Sequence, residues 1–337
     1  MKKILSIVLA VAMLATCLFT FSACGNKADT ADTTGDNAAD KTYTVGICQL
    51  VPHDALDAAT KGFKEALTKA LGEDKVTFIE QNAQNDATAC TTIINDFVTK
   101  NVDLIMANAT PALQAAANGT NKIPVLGTSV TEYGTALDIE NFGGLVGTNV
   151  SGTSDLAPLD KQADMVLDIV PDAKKVGLLY CSGEANSAYQ VKKVAEYLTA
   201  KGVECTDFPF SDSNDVASVA KAAAAASDVI YVPTDNTAAS CAEAINGAVL
   251  PTKTPIIAGE EGICKGCGVT TLSISYYDLG VKTGEMAAQI LKGEKKVSEM
   301  EIAYADNFEK KYNKANCDEL GIDTAKLEKD GYVAIAE

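Results

Sequence analysis

The sequence predicts an α/β protein built of two similar Rossmann-like lobes with a ligand cleft between them. Three observations carry that reading. Short β-rich runs alternate with helical periodicity along the chain beyond residue 42. The alternation occurs twice, in the same order. Equivalent landmarks of the two halves, Val45 with Val176 and Pro124 with Pro255, are each 131 residues apart. Strands alternating with helices make a parallel sheet covered on both faces.

In the first half, Tyr43-Thr44-Val45-Gly46-Ile47-Cys48 reads as a strand, followed by helical spacing of Leu56, Ala59, Phe63, Ala66, Leu67, Ala70 and Leu71. Val76 to Ile79 is the second strand, and Cys90, Ile93, Ile94, Phe97 and Val98 mark one side of the next helix. Leu104 to Ala107 is the third strand; Thr110 is placed to cap a helix opening at Pro111. Val125-Leu126-Gly127 is the fourth. The second half repeats this order with Val176 to Tyr180, a helix over 187–201, Cys205 to Phe208, an Ala-rich helix over 215–226, Asp228 to Val232 and Thr254 to Gly259. In an open parallel sheet, ligands sit beyond the carboxyl ends of the strands. The loops there hold Gln49 to His53, Asn108 to Thr110 and Thr128 to Thr131, and in the second half Ser182 to Ser187, Pro233 to Thr237 and Glu260 to Gly262. They are rich in hydroxyls, amides and acids.

The start of the chain predicts export. Lys2 and Lys3 precede an apolar run over 4–20, then small residues, so residues 1–23 read as a signal peptide. Phe21-Ser22-Ala23-Cys24-Gly25 resembles a bacterial lipobox, which implies lipidation at Cys24; Phe21 departs from the usual leucine. Residues 24–41 carry no large apolar side chain beyond the lipidated cysteine and are expected to be a disordered tether. A formal charge of −17 argues against nucleic-acid binding, which needs a basic surface. Eight cysteines remain after Cys17 and Cys24, and their spacing does not form a disulfide framework. Cys264-Lys265-Gly266-Cys267 stands alone where a zinc ribbon needs two such pairs, so it is read as a local disulfide or two idle thiols in a Gly-rich turn.

Several blocks then resemble one family. Ala107-Asn108-Ala109-Thr110-Pro111, Gly183-Glu184-Ala185-Asn186-Ser187, Pro233-Thr234-Asp235-Asn236, Gly259-Glu260-Glu261-Gly262 and Ser275-Tyr276-Tyr277-Asp278-Leu279-Gly280 look like the bacterial ABC-transporter substrate-binding proteins of the tryptophan/tyrosine-binding type. The resemblance covers about 42–321. It implies the type I periplasmic binding protein fold, its lobes joined by a three-segment hinge. The crossings are expected near 147–151, 271–275 and 297–302, with a helix over 276–293 returned to the first lobe. Lobe 1 is then 42–148 plus 275–298, and lobe 2 is 149–274 plus 299–337. The resemblance also implies an aromatic amino-acid ligand, tryptophan, tyrosine or phenylalanine, with another amino acid, a nucleoside or a sugar as the alternative. An ABC permease is the expected membrane partner, and a monomer the expected state.

An amino acid needs partners for its carboxylate, its ammonium and its side chain. Hydroxyls and backbone N–H groups at helix starts suit a carboxylate, which points to Thr110, Ser129 and Thr131, with Ser187 behind them. Thr110 and Ser187 serve equally as helix caps. Asp235 is the first choice for the ammonium, with Glu184 and Glu261 as rivals and an Asx cap as its plain alternative. Ser182, Asn186, Asn236 and Gln49 complete the polar set, and His53, the sole histidine, flanks the first loop. Leu50, Val51, Tyr133 and Tyr276 offer apolar walls.

An enzyme is not expected, and no catalytic residue, cofactor or metal is assigned. There is no Gly-x-Ser-x-Gly elbow or Walker loop, and Gly143-Gly144-Leu145-Val146-Gly147 does not fit a dinucleotide fingerprint. A two-lobed hydrolase-like enzyme is the remaining rival. A transcription regulator of the same fold would need a DNA-binding module where the export signal stands. The expected mechanism is capture by lobe closure.

Overall fold

The computed structural model describes residues 41–305 and 307–336. The signal peptide over 1–23, Cys24 and the tether up to residue 40 lie outside the described residues. None of the described helices is long and apolar enough to cross a membrane.

Two sheets organise the chain. The first contains β1 (Tyr43–Gln49), β2 (Val76–Asn82), β3 (Leu104–Asn108), β4 (Val125–Val130) and β5 (Val150–Ser154). The second contains β6 (Lys175–Cys181), β7 (Glu204–Phe210), β8 (Val229–Val232), β9 (Ile256–Ala258) and β10 (Thr270–Ser273). The late strand β11 (Ala303–Tyr304) returns to the first sheet, while β12 (Glu309–Tyr312) and β13 (Val333–Ala334) extend the second. The strand orders are β2-β1-β3-β4-β5-β11 and β7-β6-β8-β9-β10-β12-β13. Both therefore share the doubly wound order 2-1-3-4-5, with β12 alone running antiparallel to its neighbour β10. The repeat seen in the sequence is thus a repeat of topology.

Helices cover the sheets. In chain order they are α1 (Asp54–Leu71), α2 (Ala87–Thr99), α3 (Thr110–Gly119), α4 (Tyr133–Ala136), α5 (Leu159–Ile169), α6 (Ala185–Ala200), α7 (Val216–Ala226), α8 (Asn236–Ser240), α9 (Ala242–Val249), α10 (Glu261–Gly266), α11 (Tyr276–Leu291), α12 (Lys314–Leu320) and α13 (Thr324–Lys329). Apolar faces on both sides of each sheet make separate cores. In the first lobe, Phe97, Ile94 and Leu113 pack on one face, and Phe63, Leu67 and Met286 on the other. In the second, Leu178 and Val194 lie opposite Ile230 and Ile245.

The division between lobes falls later than the sequence suggested. Val150–Ser154 joins the first sheet beside β4, so the first crossing follows Ser154 rather than lying near 147–151. Its Val-Ser-Gly-Thr-Ser sequence has the small polar residues of a turn, yet all five residues are buried. Gly152 explains the composition: a Cβ there would stand 2.1 Å from the Gly127 carbonyl oxygen of β4. The third crossing likewise follows β11, beyond 297–302. The second passes through Ile274 and Ser275, between β10 and α11. Helix α11 packs along α1 in the first lobe, as α5, which the sequence reading left unassigned, packs along α6 in the second.

Candidate functional site

The carboxyl ends of β1 and β4 face those of β6, β8 and β9 across a narrow cavity. From the first lobe come His53 and Leu56 at the start of α1, and Ser129 and Thr131 at the end of β4. From the second come Asn186 in the first turn of α6, Thr234, Asp235, Asn236 and Ala239 around α8, and Glu260 before α10. Asp155 and Tyr276 enter from the first and second crossings.

Strands deliver these groups because each chain segment turns sharply as it leaves its sheet. Ser129 holds a left-handed backbone at φ 54°, and Ala109 beyond β3 stands at φ 92°. Such conformations cost about 1–3 kcal/mol and persist where surrounding structure enforces them. Here the Thr128 carbonyl accepts the Ala109 N–H at 3.0 Å.

The hydrogen-bond pattern separates groups engaged in the scaffold from groups that have no partner. Among the described residues nine buried side-chain polar atoms have no partner, and four surround this cavity: His53 Nδ1, Ser129 Oγ, Asp155 Oδ1 and Asn186 Oδ1. Buried polar groups are normally paired, because each unpaired one costs about 1–3 kcal/mol. The four atoms are drawn from both lobes and the hinge. The Asp155 Oδ2 accepts the Tyr276 hydroxyl at 2.9 Å, and its Oδ1 has no partner that meets hydrogen-bond geometry. Burial pushes its carboxyl above the usual range, against the opposing pull of Tyr276 and Thr131.

Asp235 and Glu184 do different work. The Asp235 carboxylate accepts the N–H of Ala238 and of Cys181, each at 2.7 Å, which caps α8 and ties it to β6. It lines the cavity, yet both oxygens are engaged, so its geometry is that of the Asx cap. Glu184 accepts from the backbone of Asn236 and Thr237 and from both their side chains, at 2.7 to 3.1 Å. Burial, then the Glu184 charge, raises the Asp235 carboxyl to about 7; burial raises Glu260 to about 7. Among the described residues no lysine or arginine lines the cavity.

Of the residues expected to hold ligand, the structure brings Ser129, Thr131, Asn186, Asp235, Asn236 and Tyr276 together around the cavity. Glu184 and Ser187 stand one layer behind: Ser187 Oγ accepts from the Asn186 amide at 3.2 Å. The others lie elsewhere. Gln49 is spent on Val51, Asp57 and Thr60 inside the first lobe. Thr110 is the buried first residue of α3. Ser182 is exposed and donates to the Phe210 carbonyl. Glu261 pairs with Lys311 at 2.6 Å. Leu50, Val51 and Tyr133 belong to the first-lobe core rather than to the cavity wall. Sequence reasoning missed Asp155. Its signal was present, since it is the sole charged residue between Glu140 and Asp160.

The cysteines are set apart from this chemistry. All eight described ones are free thiols. Cys264 sits inside α10 rather than in a turn, and Cys267 follows its end. Burial pushes the Cys264 thiol far up, the opposite of what a redox cysteine needs. Among the described residues no group of three potential metal ligands occurs.

Two facing lobes, a triple hinge and a closed polar cavity define a solute receptor of the type I periplasmic binding protein fold. Residues 44–327 match the model of the ABC transporter substrate binding protein family. The chain belongs to that family. A tyrosine-binding protein of Clostridioides difficile (strain R20291) is 36% identical over 315 residues, 91% of this chain and 89% of that protein. An ABC domain from Streptococcus pneumoniae in complex with L-Trp is 30% identical, with a TM-score of 0.82 over 88% of this chain and 100% of that one. The ligand-free, open structure of a substrate-binding protein with adhesive properties from Clostridium difficile is 37% identical but has a TM-score of only 0.66, again over 88% and 100%. The shape thus follows the L-Trp complex more closely than the open form, against the order of sequence identity. In this structure the lobes touch across the cleft, His53 meeting Asn236 and Asn85 donating to Thr237.

Proposed function

We propose that this protein captures an aromatic amino acid outside the cytoplasm and presents it to an ABC permease. The observation that carries the reading is the set of four unpaired polar atoms, which is contributed by both lobes and the hinge around one cavity. Asp155 Oδ1 receives the ligand ammonium, a charge-assisted bond inside a site that holds no competing cation. Tyr276 orients that carboxylate through its hydroxyl. Ser129 and Thr131 take the ligand carboxylate. The Tyr276 ring, Leu56 and Ala239 supply apolar surface. The tyrosine- and L-Trp-binding relatives support an aromatic side chain.

Closure is the working step: contacts from the second lobe favour the closed state by their differential affinity. The protein carries out no reaction and uses no cofactor. Lipidation at Cys24 would tether a monomer at the outer membrane face, within reach of the permease.

Isothermal titration of the mature chain against amino acids, nucleosides and sugars tests this. An aromatic amino acid should bind, and Asp155→Asn should weaken it by at least ~10²-fold, since an ammonium then loses its buried countercharge. Binding of a sugar or nucleoside alone would sink the reading.

A further inference from the structure

Resting on the amino-acid reading above, we infer that the site selects ligands by a hydrogen-bond donor on the aromatic ring, accepted by His53, so that tyrosine and tryptophan are retained and phenylalanine is refused.

The proton positions follow from a chain of contacts. Glu184 Oε2 accepts the Asn236 side-chain N–H at 2.7 Å, which turns the Asn236 Oδ1 toward His53. That oxygen lies 3.3 Å from His53 Nε2 and can only accept, so Nε2 carries a proton. Burial holds the imidazole pKa below its usual value, which keeps the ring neutral. A neutral imidazole has one N–H. Nδ1 is therefore a bare acceptor, and it is shielded from solvent without a partner. Asn186 is fixed in the same way. Its amide nitrogen faces Glu184, Ser187 and the Thr234 carbonyl, at 3.1 to 3.3 Å, which leaves Oδ1 as the free acceptor.

Three of the four unpaired atoms thus accept only, and Ser129 Oγ alone can also donate. Asp155 is on the hinge, where the ammonium docks. His53 is on the rim, where the first lobe touches Asn236 of the second. Phenylalanine brings donors at its ammonium end alone and would seal His53 Nδ1 and Asn186 Oδ1 beneath C–H bonds. A phenol O–H or an indole N–H supplies one donor, which His53 Nδ1 accepts. Sites built to hydrogen-bond a substrate group reject the analogue lacking it strongly, because their own polar atoms are left unpaired.

The test is titration of the mature protein with L-tyrosine, L-tryptophan and L-phenylalanine, repeated on His53→Leu. The expected result is that tyrosine, tryptophan or both bind with a Kd at least ~10²-fold below that of phenylalanine. In His53→Leu that ratio should shrink by ~10-fold or more. Phenylalanine binding as tightly as the other two would overturn the inference and leave the amino-acid reading intact. A ratio unchanged in the variant would overturn the role of His53. Binding of none of the three would overturn the amino-acid reading and this inference with it. The comparison in the unsubstituted protein stands whether or not the variant folds.

Discussion

At the scale of single residues, the cleft is notable for its charge. Asp155, Glu184, Asp235 and Glu260 are each at most 4% exposed. Burial disfavours ionisation, so Asp235 and Glu260 are raised to about 7. An acid whose folded pKa lies above its unfolded value stabilises the native state fully below the unfolded pKa. That contribution is lost as pH rises through the folded value. For Glu260 the window runs from 4.5 to about 7. The ligand-free Glu260→Gln protein should therefore gain thermal stability relative to the unsubstituted protein between pH 5 and pH 8, as the unsubstituted protein ionises Glu260. Scanning fluorimetry across that range reads the difference directly, and a constant offset would refute the assignment. At this scale the sequence was only partly legible. Asn186 and Tyr276 could be picked out because their loops follow strands. Whether an oxygen is free or spent on a backbone N–H depends on three-dimensional neighbours, which is why Asp235 stood out in the sequence and Asp155 did not.

At the scale of elements, the join of α1 and α11 holds the returning chain in the first lobe. The two helices meet backbone to backbone through glycine. A Cβ on Gly280 would stand 2.0 Å from the Ala59 carbonyl oxygen, and one on Gly62 would stand 2.1 Å from that of Tyr277. Gly280→Ala should destabilise the protein by about 1–3 kcal/mol through overpacking. Tm should then fall by several degrees, and an unchanged Tm would mean that the helices can part without cost. Most elements were readable from periodicity, including α1, α2 and the eight strands around the repeat. β5 was not, because a buried strand of Ser, Thr and Gly lacks the β-branched run that marks one. Its polarity is absorbed internally: Ser151 donates to the Met300 carbonyl and Thr153 bonds to Thr128 and Thr283.

At the scale of the whole molecule, the contacts that join the lobes across the mouth are few and mostly neutral. Asn85 donates to Thr237 at 3.0 Å, His53 meets Asn236, and Lys265 lies 3.8 Å from Asp54 in an exposed pair. Exposed ion pairs contribute about 0–1 kcal/mol, so closure without ligand is weakly held. Small-angle scattering should show the ligand-free protein contracting when an aromatic amino acid is added. Asn85→Ala should lower affinity by about 3- to 10-fold, since a bond made only on closure is worth about 1 kcal/mol. An identical scattering radius with and without ligand would contradict closure as the capture step.

The order of the strands also governs when the protein can become itself. The first sheet ends in Ala303–Tyr304, and its outer helix is α11, so more than a third of the polypeptide separates Ser154 from the pieces that complete its lobe. Such distant pairings are slow to form. A chain emerging amino end first therefore has no finished lobe to lock until almost all of it has appeared.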